Sequence, residues 1–84
     1  MIFTVTWLPS AQNELTNAWL ANANRKAITL AANEIDRELR IDPDRKGILF
    51  FGDRMLRINP LLVIFTVMRD DCLVEINQVM VMNP

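Results

Sequence analysis

Leu61-Leu62-Val63-Ile64-Phe65-Thr66-Val67-Met68 is apolar on both of its alternating faces, interrupted only by Thr66. A strand that is apolar on both sides has to be covered on both sides, so this stretch predicts an interior strand. Arg69-Asp70-Asp71 stops the run and predicts a hairpin turn into a second strand, Cys72 to Val81. Upstream, Asn59-Pro60 turns the chain into the central strand. Before that turn, Ile48-Leu49-Phe50-Phe51 and Arg54-Met55-Leu56-Arg57-Ile58 flank Gly52-Asp53. The pattern predicts one strand over 48–58 with a bulge or kink at Gly52.

The first half of the chain supplies the other elements. Phe3, Val5 and Trp7 alternate with Thr4 and Thr6, which predicts a half-buried strand from Ile2 to Trp7. Pro9 ends it and suits the first turn of a helix, where its missing N–H costs nothing; Ser10 is available to help cap that turn. Ala11, Leu15, Ala18 and Trp19 recur at helical spacing and predict a first helix over Pro9 to Ala21. Asn22-Ala23-Asn24 then closes one helix and opens the next. The second helix, Arg25 to Arg40, buries a stripe of Ile28, Ala31, Ala32, Ile35 and Leu39, and pairs Asp36 with Arg40. So short a connection allows only an antiparallel helical hairpin. Asp42-Pro43 stops the second helix, and Asp42 to Gly47 forms a turn-rich loop. The order is β-α-α-β-β-β, in a single α+β domain over residues 1–84.

Composition excludes several classes of chemistry. With 51% hydrophobic and 23% charged residues the chain resembles a soluble globular domain. Its net charge of -1 and pI of about 5.2 argue against binding nucleic acid through an overall basic field. All nine basic residues nevertheless lie between Arg25 and Arg69, which leaves a local basic patch open. One cysteine and no histidine exclude an internal disulfide, a histidine-based zinc site and a Cys-only site. Two glycines make no phosphate-binding loop, so neither metal nor cofactor is expected. A core of this size supplies about 3–5 kcal/mol net, which makes a partner chain a natural support. The start of the chain has no basic n-region, and the longest apolar run, Leu61 to Phe65, is far shorter than the roughly 20 residues that span a bilayer. A cytoplasmic bacterial protein without membrane association is expected.

Val5-Thr6-Trp7-Leu8-Pro9-Ser10-Ala11, followed by Leu15, resembles the strand-to-helix opening of RelE/ParE-type toxins of bacterial type II toxin–antitoxin pairs. Ile35-Asp36, Leu39, Asp42-Pro43 and Gly47 resemble their second helix and the loop after it. Arg54 and Leu56, then Pro60-Leu61 with Val63, Phe65 and Val67, then Val74, Ile76 and Val79 resemble their last three strands. The resemblance covers nearly the whole chain in order. It implies a helical hairpin packed on a twisted antiparallel sheet of about four strands, and a cognate antitoxin as partner.

Within that superfamily, one branch resembles ribosome-dependent endoribonucleases and the other resembles toxins directed at DNA gyrase. The ribonuclease branch uses an arginine at the start of the third strand, where this chain has Leu62. It also uses an arginine, and often a tyrosine or histidine, near the C-terminus. Val79 to Pro84 contain none of these, and the chain has no tyrosine at all. RNA cleavage at a 2′-hydroxyl needs groups that move protons and stabilise a charged phosphorane. Arg54, Arg57 and Arg69 can stabilise charge, but arginine stays protonated and is no base. Asp53 or Glu75 are carboxylates of the right type, without a pattern that selects them. No catalytic residue is therefore assigned.

The resulting expectation is a toxin-like chain that acts by binding protein, with DNA gyrase as the target its branch implies and the ribosome as the rival. The alternatives are an mRNA-cleaving enzyme with an atypical site, and a non-toxic interaction module. Arg54, Arg57 and Arg69 are the candidate target contacts, weighed against solvated arginines that protect a sheet edge. Val79, Met80, Val81 and Met82 are the candidate partner interface, with an antitoxin or in a homodimer, because they leave both faces of the last strand apolar. Trp7 and Trp19 are expected in the core, and Cys72 as a small core or edge residue.

Overall fold

Pro9 opens α1 (Pro9–Ala21) and Asn24 opens α2 (Arg25–Glu38), and the two helices lie over one face of a five-stranded sheet. The strands are β1 (Thr4–Trp7), β2 (Ile48–Phe50), β3 (Asp53–Ile58), β4 (Leu61–Met68) and β5 (Leu73–Val81), in the order β1-β5-β4-β3-β2. The computed structural model describes residues 1–82; the Asn83-Pro84 ending lies outside the described residues.

The helical hairpin forms as its sequence dictates. Asn22 ends α1 in extended backbone, and its Oδ1 accepts the Asn24 N–H at 2.8 Å. The Asn24 Oδ1 in turn accepts the Ala27 N–H at 3.1 Å, satisfying an otherwise unpaired donor of the first turn of α2. Ser10 does not cap α1: Leu8 holds the cap position without a side-chain hydrogen bond. α2 ends at Glu38, short of Arg40: the Leu39 N–H still bonds the Ile35 carbonyl at 3.0 Å, but the Arg40 N–H turns to the Arg37 carbonyl at 3.4 Å, an i→i−3 bond that tightens the last turn. The Asp36–Arg40 pair forms across that end at 2.6 Å.

Two expectations about the sheet are corrected. Residues 48–58 are not one kinked strand but a tight hairpin, with Phe50 paired to Asp53 across Phe51-Gly52. Both turn residues have positive φ, 48° at Phe51 and 87° at Gly52, the backbone sign of a type I′ turn. The sheet is also mixed rather than wholly antiparallel, with five strands instead of four. β2 to β5 follow one another through turns and pair antiparallel, whereas β1 lies parallel to β5 with Thr4 opposite Leu73 and Trp7 opposite Ile76. Parallel neighbours need a long crossover, and everything from α1 to β4 supplies it. β1 itself is shorter than its alternation suggests; Ile2 makes only an isolated bridge to Ile41.

β4 is interior, flanked by β5 and β3. Leu61, Val63 and Phe65 point under the helices and are fully buried with Ile28, Ile35 and Leu39 of the second helical segment. Val74, Ile76 and Val79 of β5 complete that core. The inward positions of β5 change parity because Ile76 pairs with Phe65 and Gln78 with Ile64, leaving Asn77 as an extra residue. Beyond Ile76, β1 no longer covers the edge of β5, and Glu14 of α1 accepts the Val79 N–H there at 3.0 Å. Cys72 sits in the turn before β5, at φ 50°. It is half-buried against the core.

Candidate functional site: the open face of the sheet

Neither helix covers the other face of the sheet, where neighbouring side chains bury Leu62 and Ile64 and leave Met80 exposed. The strand register sorts this face into rows. At one end, Arg57 lies opposite Leu62 and Leu62 opposite Met80. In the next row Ile48 faces Met55, Met55 faces Ile64, and Ile64 faces Gln78. At the other end Thr66 faces Glu75, which faces Thr6. The face is thus apolar at the Leu62–Met80 end and acidic at the Thr66 end. A groove of about 440 Å³ opens at the apolar end, lined by Ile48, Met55, Arg57, Leu62 and Met82 among others.

The acidic end is held by a short relay of hydrogen bonds. The Asn77 amide donates to Thr66 Oγ1 at 2.8 Å, and the Thr66 hydroxyl donates to Asp53 Oδ1 at 2.9 Å. The β5 bulge aims Asn77 at Thr66, an arrangement that reading β5 as a regular strand had missed. Two adjacent amides, Asn77-Gln78, break the polar–apolar alternation of β5 and were the available signal. With Asp53 and Glu75 here and Arg57 at the far end, the face carries more negative than positive charge. Such a surface repels a phosphate backbone rather than collecting it.

The three arginines do not converge. Arg54 sits opposite Phe65 on the helix-side register, so its side chain leaves the open face. Its Nε donates to the Lys46 carbonyl at 2.8 Å and its Nη2 to the Gly47 carbonyl at 3.3 Å, which ties the loop before β2 to β3. Arg57 alone lies on the open face, exposed, with its Nε donating to Asn59 Oδ1 at 2.9 Å. Arg69 is in the β4–β5 turn and pairs with Asp44 of the 3₁₀ turn Pro43–Arg45. The hydrogen bond from Arg69 holds the Asp44 carboxyl below its ordinary range against the opposing effect of desolvation.

The four apolar residues at the end of β5 are likewise divided. Val79 is 5% exposed and belongs to the core, which corrects its place among the candidate partner-interface residues; the bulge turns it inward. Val81 is half-buried and packs against the same core. Met80 is 43% exposed on the open face, and Met82 lines grooves on either side of the chain's last described residues. Trp19 is also corrected: it lies at the surface, not in the core. Its indole N–H donates to Thr29 Oγ1 at 3.2 Å and Arg25 stacks 4.6 Å above its ring. With Leu15, Ile28 and Ala32 it lines an apolar groove of about 290 Å³ between the helices. Trp7 is half-buried against the core.

Among the described residues no group of three or more His, Cys, Asp or Glu could hold a metal ion. Nor, among the described residues, is any helix long and apolar enough to cross a membrane.

No family model and no curated protein matches the chain in sequence. Solved structures do. The RelBE2 toxin–antitoxin complex from Mycobacterium tuberculosis contains a chain that superposes with a TM-score of 0.75 at 16% identity, covering 96% of this chain and 92% of that one. The chromosomal ParDE system from P. aeruginosa gives 0.67 at 14% identity, covering 98% of each chain. The isolated E. coli RelE toxin gives 0.59 at 14% identity, covering all of this chain and 87% of that one. At such identities the likeness establishes a shared fold: the chain has the RelE/ParE toxin fold from end to end.

Proposed function

We propose that this chain, built on the RelE/ParE fold, is the toxin-like component of a type II toxin–antitoxin pair. It acts by binding a protein target through the open face of its sheet, and a cognate antitoxin neutralises it. The observation that carries the mode of action is the composition of that face. Met80, exposed over the buried Leu62 and Ile64, marks an apolar end, and the Asn77–Thr66–Asp53 relay with Glu75 forms an acidic one. Only Arg57 of the three candidate arginines is displayed there.

Such a face suits a protein surface that offers an apolar side chain and hydrogen-bond donors. It does not suit RNA, whose phosphates require several free cations. Nor does it offer the matched acid, base and oxyanion donors of a phosphoryl-transfer site. DNA gyrase is the target that the ParE-like branch would imply. The antitoxin would lay an apolar helix into the Leu15–Trp19–Ile28 groove and extend over the sheet, so that the target surface is hidden while the pair is intact.

The test is growth of bacteria in which the chain is induced alone, or with the product of an adjoining short reading frame. Arrest by the chain alone, relieved by the second product, supports the pair. Supercoiling by purified gyrase and cleavage of mRNA on translating ribosomes then separate the modes of action. Inhibited supercoiling with intact mRNA is the outcome expected here. Defined mRNA cuts would establish the enzymatic alternative, and unimpeded growth would establish the non-toxic module.

A further inference from the structure

β2 is a three-residue edge strand, and beyond its shortness it carries none of the charges, prolines or bulges that normally keep an edge from pairing. Ile48-Leu49-Phe50 contains no charge and no proline, and it is regular, without a bulge. Ile48 and Leu49 are 59% and 74% exposed, and Phe51 at the hairpin tip is 94% exposed. Phe51 is the more telling residue. Its φ of 48° is one that asparagine or glycine adopts readily and a bulky residue does not. Asn-Gly would form this turn with less strain, so Phe51-Gly52 is not explained by the stability of the hairpin. Its ring meets Phe50 edge-on at 4.9 Å and is otherwise turned to solvent. A strained, exposed aromatic beside an uncharged edge is the signature of a contact surface.

We propose that β2 pairs with β2 of a second copy of this chain, antiparallel about a two-fold axis at Leu49, to give a dimer with one continuous ten-stranded sheet. The hairpin geometry sets the register. Residues that flank a two-residue turn pair with each other, so Phe50 and Ile48 direct their backbone groups to β3 and Leu49 directs its N–H and C=O outward. An antiparallel pair centred on Leu49 therefore exchanges two backbone hydrogen bonds between the Leu49 residues of the two copies. Ile48 then faces Phe50 of the second copy on one side of the sheet, and the two Leu49 side chains meet on the other. The edge is self-complementary, as an isologous interface requires.

The available area also allows it. At roughly 150–250 Å² for a fully exposed large side chain, Ile48, Leu49 and Phe51 offer about 400 Å² per copy. Complete burial of all three in both copies would remove at most about 800 Å². Backbone and Phe50 raise that ceiling to the roughly 1,000 Å² that a specific interface needs. The contact adjoins the open face through Ile48 and Phe50, but it needs neither a target nor an antitoxin, so it is tested on the chain alone.

Sedimentation velocity of the chain purified alone, over a rising concentration series, tests it together with hydrogen exchange at the Leu49 amide. A concentration-dependent dimer whose formation protects that amide is expected. Leu49→Lys should remove both signals while leaving the circular dichroism spectrum unchanged, because its side chain is outside the core. Thr4→Lys, on the opposite edge strand, should leave the dimer intact. Phe51→Asn should raise the melting temperature yet weaken the dimer by about tenfold. A strict monomer at all concentrations would overturn the proposal, as would a dimer indifferent to Leu49→Lys. Protection of Leu49 only when a different protein binds would overturn it too and assign the edge to that protein.

Discussion

Arg54→Ala should destabilise the fold, whereas Arg57→Ala should not. Arg54 donates two hydrogen bonds to carbonyls of the Lys46-Gly47 loop, at 2.8 and 3.3 Å, from a half-buried position on the helix side of β3. A hydrogen bond involving a charged group contributes about 1.5–3 kcal/mol when fully formed and shielded. The second bond is long and exposed, and water can reach the freed carbonyls, so the net loss is about 1–2 kcal/mol. In a domain of this size each kcal/mol lowers the melting temperature by about 4–8 °C, which gives a fall of roughly 5–15 °C. Arg57 is exposed and bonds only the nearby Asn59, so its removal should change stability by less than about 0.5 kcal/mol. Thermal melts followed by circular dichroism measure both variants directly. Equal melting temperatures for Arg54→Ala and the parent chain, or an equal fall for Arg57→Ala, would refute the division between a loop clamp and a displayed arginine. Growth arrest adds a second reading: Arg57→Ala should lose potency while folded, and Arg54→Ala only in proportion to its unfolding.

Met80→Glu should keep the fold and weaken target binding. Val79→Glu, one residue away, should bury an unpaired carboxylate near Glu14 at a cost of about 3 kcal/mol or more and unfold the domain, as far-ultraviolet circular dichroism would report. Gly47→Ala should be far more damaging than Gly52→Ala. A Cβ at Gly47 would lie 2.0 Å from the Met55 carbonyl oxygen, whereas one at Gly52 meets nothing within 4 Å and costs only its positive φ, about 1 kcal/mol in a urea melt. The Asp44 carboxyl, held down first by its hydrogen bond from Arg69, is more acidic folded than its ordinary 3.8. Its contribution to stability is therefore complete above 3.8 and is lost as pH falls from there through the lower folded value. Acid titration of stability should be shallower in that window for Asp44→Asn and for Arg69→Gln than for the parent chain.

What the sequence made legible were the features set by local patterning. The unbroken apolar run from Leu61 marks β4 as interior because no other placement covers both its faces. Asn22 and Asn24 mark the helical hairpin because their side chains replace the missing backbone partners at helix ends. The β2–β3 hairpin escaped because its turn is Phe51-Gly52; an apolar residue in a left-handed position reads as a continued strand. The parallel β1–β5 pairing escaped because nothing local encodes a contact between the two halves of the chain. Val79 was a candidate for the partner interface rather than the core for a related reason. One extra residue at Asn77 reverses the facing of everything after it, and that bulge is set by pairing with β4. The arginines were visible as residue types, but their separation onto two faces and a distant turn depends on the register of β3 and on the loop that Arg54 holds.

Growth after induction of the parent chain and of Met80→Glu, at matched expression and matched melting temperature, tests the protein-binding reading of the open face most directly. Arrest by the parent chain and its relief by Met80→Glu is the predicted result, since the substitution places a charge on the apolar end without touching the core. Equal arrest by both chains would contradict a target contact at that end of the sheet, and unimpeded growth with the parent chain would contradict the toxin itself.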